Sequence, residues 1–267
     1  MLLLCRSAER GKSARDEIAE ATGNDDVELL LGDLADLADV RRAAAETQER
    51  CNRLDVLVNN AGVYRGRYAE SASGSLELTW AVNHFAPFLL TKELRALLEE
   101  TATRHGEARV VGVSSDAHRG VSLDLEEVER GGPSADTFSG MRVYAQTKLA
   151  NVLFAREWAR RQAVEGRPNV TANAVHPGVV ATNIWSRAGG LLATVADWFT
   201  FLYSAPATGA EGPLHLATAP ALEGATGGYF NKTTPQPPSD AARDDETARR
   251  LWEVSENVIA RVASESA

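Results

Sequence analysis

The chain contains 267 residues, of which 44% are hydrophobic and 24% are charged, a composition typical of a globular protein with a large buried core. Its formal net charge is −9, and the sequence has no long basic run. We therefore expect no nucleic-acid partner, because phosphate contacts need clustered Lys and Arg side chains.

Short apolar runs alternate with longer amphipathic stretches along the chain. The apolar runs predict strands at 2–5, 27–31, 54–58, 108–113, 170–175 and 227–230. The amphipathic stretches predict helices at 8–21, 36–51, 75–104, 141–165, 207–219 and 240–262. This alternation predicts βαβ units, so the expected fold class is α/β with a parallel sheet. Nothing in the sequence resembles a linker between domains, so we expect a single domain that spans residues 1–267.

The two cysteines, Cys5 and Cys51, have neither disulfide nor metal-ligand spacing, which is typical of a reducing, cytoplasmic environment. The three histidines His84, His118 and His176 also lack metal-ligand spacing, so we expect no metal site. The apolar start, 1–5, is too short for a signal peptide or a membrane span.

Polar residues follow the predicted strands at the points where those strands end. In an open parallel sheet, ligands bind beyond the carboxyl ends of the strands. Each residue alone could be an ordinary loop or capping residue, but agreement at five strand ends favours a ligand site. These residues are Arg6, Asp33, Asn59-Asn60, Ser114-Ser115 and His176-Pro177-Gly178.

Tyr144 and Lys148 are four positions apart on a predicted helix, so both side chains project from one face. A nearby ammonium favours the phenolate and is expected to lower the Tyr144 pKa, which suits proton transfer. The spacing alone is also compatible with a solvated helix face.

Together with Asn59-Asn60-Ala61-Gly62 and Pro177-Gly178, this pair resembles the short-chain dehydrogenase/reductase family. Five further stretches resemble its retinol-dehydrogenase-like branch: 5–7, 82–85, 148–154, 176–180 and 251–256. The resemblance covers essentially the whole chain. It implies a Rossmann-like doubly wound parallel sheet, with a substrate lid at about 184–220.

The resemblance also implies roles for individual residues. Tyr144 would be the general acid in carbonyl reduction and the base in alcohol oxidation. Lys148 would hold the nicotinamide ribose and lower the Tyr144 pKa. Ser115, rather than Ser114, would bind the substrate oxygen, and Asn83 would hold a water in a proton relay through Lys148.

Cofactor contacts are implied in the same way. Asp33 would meet the adenine amine, while Asn59 and Gly62 would lie along the adenosine. Arg6 stands where an NAD enzyme usually has an acid, which favours NADP(H) over NAD(H). The remaining implied cofactor-binding residues are Tyr144, Lys148, Pro177, Val179 and Thr182.

The family's Thr-Gly-x-x-x-Gly-x-Gly turn, whose following helix receives the pyrophosphate, is missing from the sequence. The strand at 2–5 corresponds to the family's second strand. The family's first strand and helix are therefore expected to be missing, and that strand would lie in the sheet between 2–5 and 54–58. One explanation is roughly thirty further residues upstream. The other is a degenerate, weakly active relative that binds a nucleotide or a partner. The intact catalytic set favours the first, and either predicts weak NADP(H) binding or poor folding of this chain alone.

The aromatic stretch at 191–203 lies in the lid region and predicts a hydrophobic alcohol, aldehyde or ketone as substrate. A plain core helix and a helix on a membrane surface are the alternatives, and Asp197 disfavours membrane contact. The charged, Gly-containing segment 116–140 either closes over the substrate or is a surface excursion. The helices at 75–104 and 141–165 are the expected interface of a possible homo-oligomer.

Overall fold

A computed structural model describes residues 1–166, 169–178 and 206–265. The strands are β1 (Leu2–Cys5), β2 (Glu28–Leu31), β3 (Val56–Asn59), β4 (Ala108–Val113), β5 (Val170–His176), β6 (Tyr229–Asn231) and β7 (Thr234–Pro235). The helices are α1 (Ala8–Thr22), α2 (Leu37–Arg50), α3 (Leu78–Trp80), α4 (Ala86–Glu93), α5 (Arg95–His105), α6 (Leu125–Glu129), α7 (Gly140–Glu165), α8 (Pro206–Thr218) and α9 (Asp245–Glu265). The alternation confirms the predicted α/β class.

The strands form two separate ladders. β1 and β2 pair in parallel, and β3, β4, β5 and β6 form a second parallel ladder to which β7 adds an antiparallel edge. Within the described residues, β1 and β3 therefore each have one edge without a strand partner. Val58 on β3 is 42% exposed, which is high for a parallel strand. The expectation that a further strand belongs between β1 and β3 stays a prediction.

Apolar side chains cover both faces of the larger ladder. β4 alternates between them, because successive strand residues point to opposite sides. Val110 belongs to the main core with α4, α7 and α9, whereas Val111 and Val113 belong to a smaller core with Leu216 of α8. This packing holds the carboxyl ends of β3, β4 and β5 at one edge.

Local signals explain most of the helix bounds. Asp36, an N-cap residue type at the start of the helix predicted at 36–51, caps α2 by accepting from the amides of Ala38 and Asp39. Ser7 caps α1 in the same way, and Gly23 ends it with a φ of 69°, a left-handed conformation that favours glycine.

The single helix predicted at 75–104 is wrong. The structure divides this stretch into α3, a π-helical segment (Ala81–Phe85), α4 and α5. Pro87 near the start of α4 has no amide proton for the carbonyl four residues earlier, which accounts for an irregular turn there. Leu94 lies between α4 and α5 with φ −85° and ψ 0°.

The segment at 116–140 contains a short 3₁₀ helix (Asp116–His118) and α6 before α7 begins. Within the described ranges, no helix combines the length and the apolar character needed to cross a membrane.

Candidate active site

A cavity of about 1010 Å³ opens at the carboxyl ends of the strands, between the two ladders. It brings together most of the strand-end residues that the sequence singles out. Its described lining includes Arg6, Asp33, Gly62, Ser115, Tyr144, Lys148 and Pro177. The cavity therefore lies where ligands bind in other open parallel sheets.

Lys148 lies almost completely buried at the inner end of the cavity, with 3% of its surface exposed. Its ammonium donates to the carbonyl oxygen of Val113 at 3.0 Å and lies 5.5 Å from the centre of the Tyr144 ring. Burial lowers the Lys148 pKa to about 8, because the charged form loses hydration. The ammonium is thus fixed in position by the end of β4.

The pKa of Tyr144 departs from the sequence-based expectation. Burial raises this pKa, and a hydrogen bond with Ser115 opposes the rise without cancelling it. The expectation that Lys148 gives a net lowering is therefore wrong for the protein in this structure, because desolvation of the phenolate outweighs the favourable interactions. The Tyr64 ring meets the Tyr144 ring edge-on, with centroids 6.1 Å apart.

The two serines after β4 have different environments. The Ser114 hydroxyl is buried and donates to the carbonyl oxygen of Lys148 at 2.7 Å, so it ties α7 to β4. Ser115 lines the cavity beside Tyr144, and its hydroxyl accepts from the Ala117 amide at 3.2 Å. This arrangement supports the choice of Ser115 as the serine that meets a substrate oxygen.

Asn83 lies in the π-helical segment, a kind of distortion that often occurs at functional sites. Its amide group binds both backbone polar atoms of Val63, at 2.7 and 2.9 Å, and donates to the Thr147 hydroxyl at 3.1 Å. Asn83 therefore joins the loop after β3 to α7 near Lys148. A Cβ on Gly62 would lie 3.2 Å from the Lys148 ammonium, which explains why glycine suits this position.

The predicted cofactor residues are distributed unevenly around the cavity. Arg6 and Asp33 line it and form an ion pair at 3.8 Å, and Pro177 lines its other end. Asn59 is not part of the described lining: its side chain donates to the Thr91 hydroxyl at 2.9 Å, and Asn60 lines the cavity instead. The predicted contacts of Val179 and Thr182 lie outside the described residues, as does most of the predicted lid.

A polar cluster that lies beside Ser115 was not predicted from the sequence. The Asp116 carboxylate accepts from the Tyr229 hydroxyl at 2.8 Å and from Arg119 at 3.1 Å, and lies 3.7 Å from His176. These interactions and the nearby cations hold the Asp116 pKa below its usual range although burial opposes them. The charged segment after Ser115 was the available signal, but Tyr229 and His176 are far from Asp116 in sequence.

Comparisons with known proteins agree with this geometry. The family model for short chain dehydrogenases matches residues 1–122. Mouse retinol dehydrogenase 14 is 35% identical over 97% of this chain and 78% of its own length. The chain belongs to the short-chain dehydrogenase/reductase family, in its retinol-dehydrogenase-like branch. The resemblance drawn from the motifs is thereby confirmed.

Human dehydrogenase/reductase SDR family member 13 is 38% identical over 97% of this chain. The chain spans 66% of that relative's length and 65% of its bovine counterpart's. Among solved structures, an uncharacterised protein from Mycobacterium paratuberculosis has a TM-score of 0.72 and 31% identity, covering 97% of this chain and 83% of the other. The NADPH-bound carbonyl reductase from chicken fatty liver has a TM-score of 0.59 at 21% identity, with 88% and 86% covered, and supports the fold.

Proposed function

We propose that this protein is an NADP(H)-dependent oxidoreductase that interconverts an alcohol and a carbonyl group on a hydrophobic substrate. One observation carries the proposal. Ser115, Tyr144 and Lys148 line one cavity at the carboxyl ends of the strands, with the ammonium fixed by Val113. NADP(H), when bound, would supply or accept the hydride at the substrate carbon.

The side chains account for the accompanying proton transfer. In reduction, the Tyr144 hydroxyl would give its proton to the carbonyl oxygen, while the Ser115 hydroxyl donates a hydrogen bond to the same oxygen. The raised Tyr144 pKa keeps the phenol protonated near neutral pH, which suits its role as an acid. The Lys148 ammonium, close to the ring, would stabilise the phenolate that forms.

Asn83 supports a route for replacing that proton. Pro87 has no N–H group, so the Asn83 carbonyl lacks its normal α-helical donor and is suited to hold a water. The Asn83 side chain is already bound to Val63 and Thr147. We therefore place the proposed relay at the Asn83 main chain and the buried Lys148 ammonium.

The cavity is large enough for a dinucleotide, and it has hydrogen-bond donors at the end of β1. Arg6 at the end of β1 presents a largely exposed guanidinium, and its long ion pair with Asp33 leaves further N–H groups for a phosphate. Ser7 and the N-terminus of α1 are adjacent, where an anion is favoured. These features support NADP(H) over NAD(H).

The deciding experiment is NADPH-dependent reduction of aromatic aldehydes, followed at 340 nm, by the wild type and by Tyr144→Phe. Removing the phenolic proton should lower kcat by about 10² to 10⁴, the usual contribution of general acid catalysis. Tyr64→Phe is the matched control and should retain its rate, because it keeps the ring that contacts Tyr144 and Tyr64 is not part of the described lining. Equal activity of Tyr144→Phe and wild type would refute the proton-transfer role.

The separation of the two ladders favours a second candidate, a nucleotide- or partner-binding protein with little activity. β1 and β3 carry unpaired edges beside the cavity, so the described residues provide few backbone donors for a pyrophosphate. NADPH binding without turnover of any aldehyde, in wild type and Tyr144→Phe alike, would support this candidate.

We also propose a cytoplasmic location, which rests on the two free thiols Cys5 and Cys51.

A further inference from the structure

Arg65 is a cation in the cavity wall that the proposed reaction does not use. It follows β3 by a short loop, is half-buried, and lines the cavity that contains Tyr144. Within residues 1–166, 169–178 and 206–265, its side chain makes no hydrogen bond or ion pair, and its buried Nε atom has no acceptor. A buried donor without a partner is unfavourable, which points to a ligand as the missing acceptor.

The loop that carries Arg65 is held in place on both sides. Asn83 binds both backbone polar atoms of Val63. A Cβ on Gly140 would lie 2.1 Å from the Arg65 carbonyl oxygen, so the loop packs directly on the first residue of α7. The intervening Tyr64 ring contacts Tyr144. Arg65 thus has a fixed location close to the proposed general acid.

The acidic residue that interacts electrostatically with Arg65 is Glu77, and its carboxylate already has other hydrogen-bond partners. Glu77 is 2% exposed. Burial raises the Glu77 pKa, and the positive charge of Arg65 offsets part of this rise. Its carboxylate oxygens accept from the amides of Thr79 and Trp80 and from the Thr79 hydroxyl. Glu77 therefore caps α3 and does not form a close ion pair with Arg65.

The neighbouring wall of the cavity is apolar. Leu78, Val82 and Met141 line it together with Arg65. A charge pair formed against such a surface is less screened than one in open water. This combination suits a ligand with an apolar body and an anionic end.

We propose that Arg65 is a specificity-determining residue that binds a carboxylate at the end of the substrate remote from its carbonyl or alcohol group. The planar guanidinium can bind a carboxylate through two parallel hydrogen bonds, while the apolar wall contacts the body of the molecule. This inference rests on the proposed oxidoreductase function and narrows its substrate class to apolar aldehydes, ketones or alcohols that carry an acidic group.

The phosphates of NADP(H) are another source of negative charge in the same cavity. Measurements of NADPH affinity therefore accompany those on the substrate. Arg65→Met removes the charge and keeps most of the side-chain length. Arg67→Met is the matched control, because Arg67 is exposed, only two residues away and not part of the described lining.

The test compares 4-carboxybenzaldehyde with its uncharged methyl ester, methyl 4-formylbenzoate. The wild type and Arg67→Met should have a KM at least tenfold lower for the acid. Arg65→Met should raise the KM for the acid at least tenfold, with less than a twofold change for the ester and in the Kd of NADPH. Arg65→Lys should recover part of the preference.

Binding is also measured without turnover, by calorimetric titration with 4-(hydroxymethyl)benzoate and its methyl ester. A binding preference for the acid that disappears in Arg65→Met, without reduction of either aldehyde, would support Arg65 as a carboxylate-binding residue and refute the proposed reaction. Equal binding of acid and ester by the wild type would overturn the inference even if both are reduced. Loss of NADPH affinity with an unchanged preference would also overturn it and assign Arg65 to the cofactor.

Discussion

The ring of His118 lies directly behind Ser115, with its Nδ1 atom 2.7 Å from the Ser115 carbonyl oxygen. On the other side, the amide of Ser239 donates to His118 Nε2 at 3.1 Å. These partners require the neutral ring to carry its proton on Nδ1. His118 is fully buried, and burial lowers its pKa, which also favours the neutral ring. The ring therefore connects the end of β4 to the segment before α9.

This connection predicts that His118 stabilises the fold and positions Ser115. His118→Leu should cost about 1–3 kcal/mol of unfolding free energy, because it leaves the Ser239 amide without its acceptor and removes the ring donor to the Ser115 carbonyl, which keeps only the His118 amide at 3.1 Å. It should also lower kcat for aldehyde reduction more than it changes KM. Denaturant unfolding and steady-state kinetics measure the two effects.

His118→Asn provides the control, since its side-chain amide can replace the Nδ1 donor. It should recover most of the kcat even if stability stays reduced. An unchanged kcat in a folded His118→Leu protein would show that the ring does not position Ser115.

The buried ammonium of Lys148 predicts a pH limit for the reaction. Its pKa is lowered to about 8, so Lys148 loses its positive charge as pH rises through that value. We expect log kcat/KM for reduction to be flat below about pH 7.5 and to fall with a slope near −1 above pH 8. Initial rates between pH 6 and 10 measure the profile.

Lys148→Arg should move the decline to higher pH, because a guanidinium keeps its proton throughout this range. Lys148→Met should have a low rate without this inflection. A wild-type profile that stays flat to pH 10 would contradict the role given to the ammonium.

The fold was largely predictable because its signals are local. The bounds predicted for 108–113 coincide with those of β4, and Asp36 caps α2 as expected. By contrast, the two-residue strand β7 is defined by its pairing with β6, which no local pattern reveals. Pro87 was a visible signal against one continuous helix at 75–104.

Most of the strand-end residues that line the cavity could be predicted from the sequence, but the pKa shifts of the site could not. The direction of the Tyr144 pKa depends on how deeply the phenol is buried, and the four-residue spacing to Lys148 carries no information about burial. In the same way, Asn59 and Asn60 are adjacent in sequence, and only the contact of Asn59 with Thr91 distinguishes them.

A buried histidine predicts a specific loss of stability in mild acid. Burial lowers the His84 pKa to about 3, and its Nε2 lies 2.8 Å from the Ser255 hydroxyl. Between pH 6.5 and pH 3, the unfolded chain therefore binds a proton that the folded protein does not, so stability falls as pH falls. The expected slope from this group is about 1.4 kcal/mol per pH unit below about pH 6.

Urea unfolding from pH 7 to pH 5 measures this slope. Carboxylates with lowered pKa values, such as Asp116 and Glu157, lose their contribution to stability only below this pH range. Their effect on stability is therefore separate from the effect of histidine protonation. His84→Gln should be less stable at pH 7 and should have a smaller slope than the wild type, the remaining slope coming from His118 and His176, whose pKa values burial also lowers. If the variant and the wild type keep the same slope, another group controls the acid sensitivity.

The position of Arg6 leads to a prediction about the relative affinities for NADPH and NADH. Its guanidinium is 66% exposed and pairs with Asp33 only at 3.8 Å, so it can reorient toward a 2′-phosphate at the end of β1. Arg6→Ala should raise the Kd of NADPH by about tenfold to a hundredfold, as expected for loss of a charge-assisted hydrogen bond, and leave that of NADH nearly unchanged. Lys12→Ala, on the exposed face of α1, should change neither value. Fluorescence titration with both cofactors gives the four comparisons, and an equal loss for NADH and NADPH in Arg6→Ala would show that Arg6 does not read the phosphate.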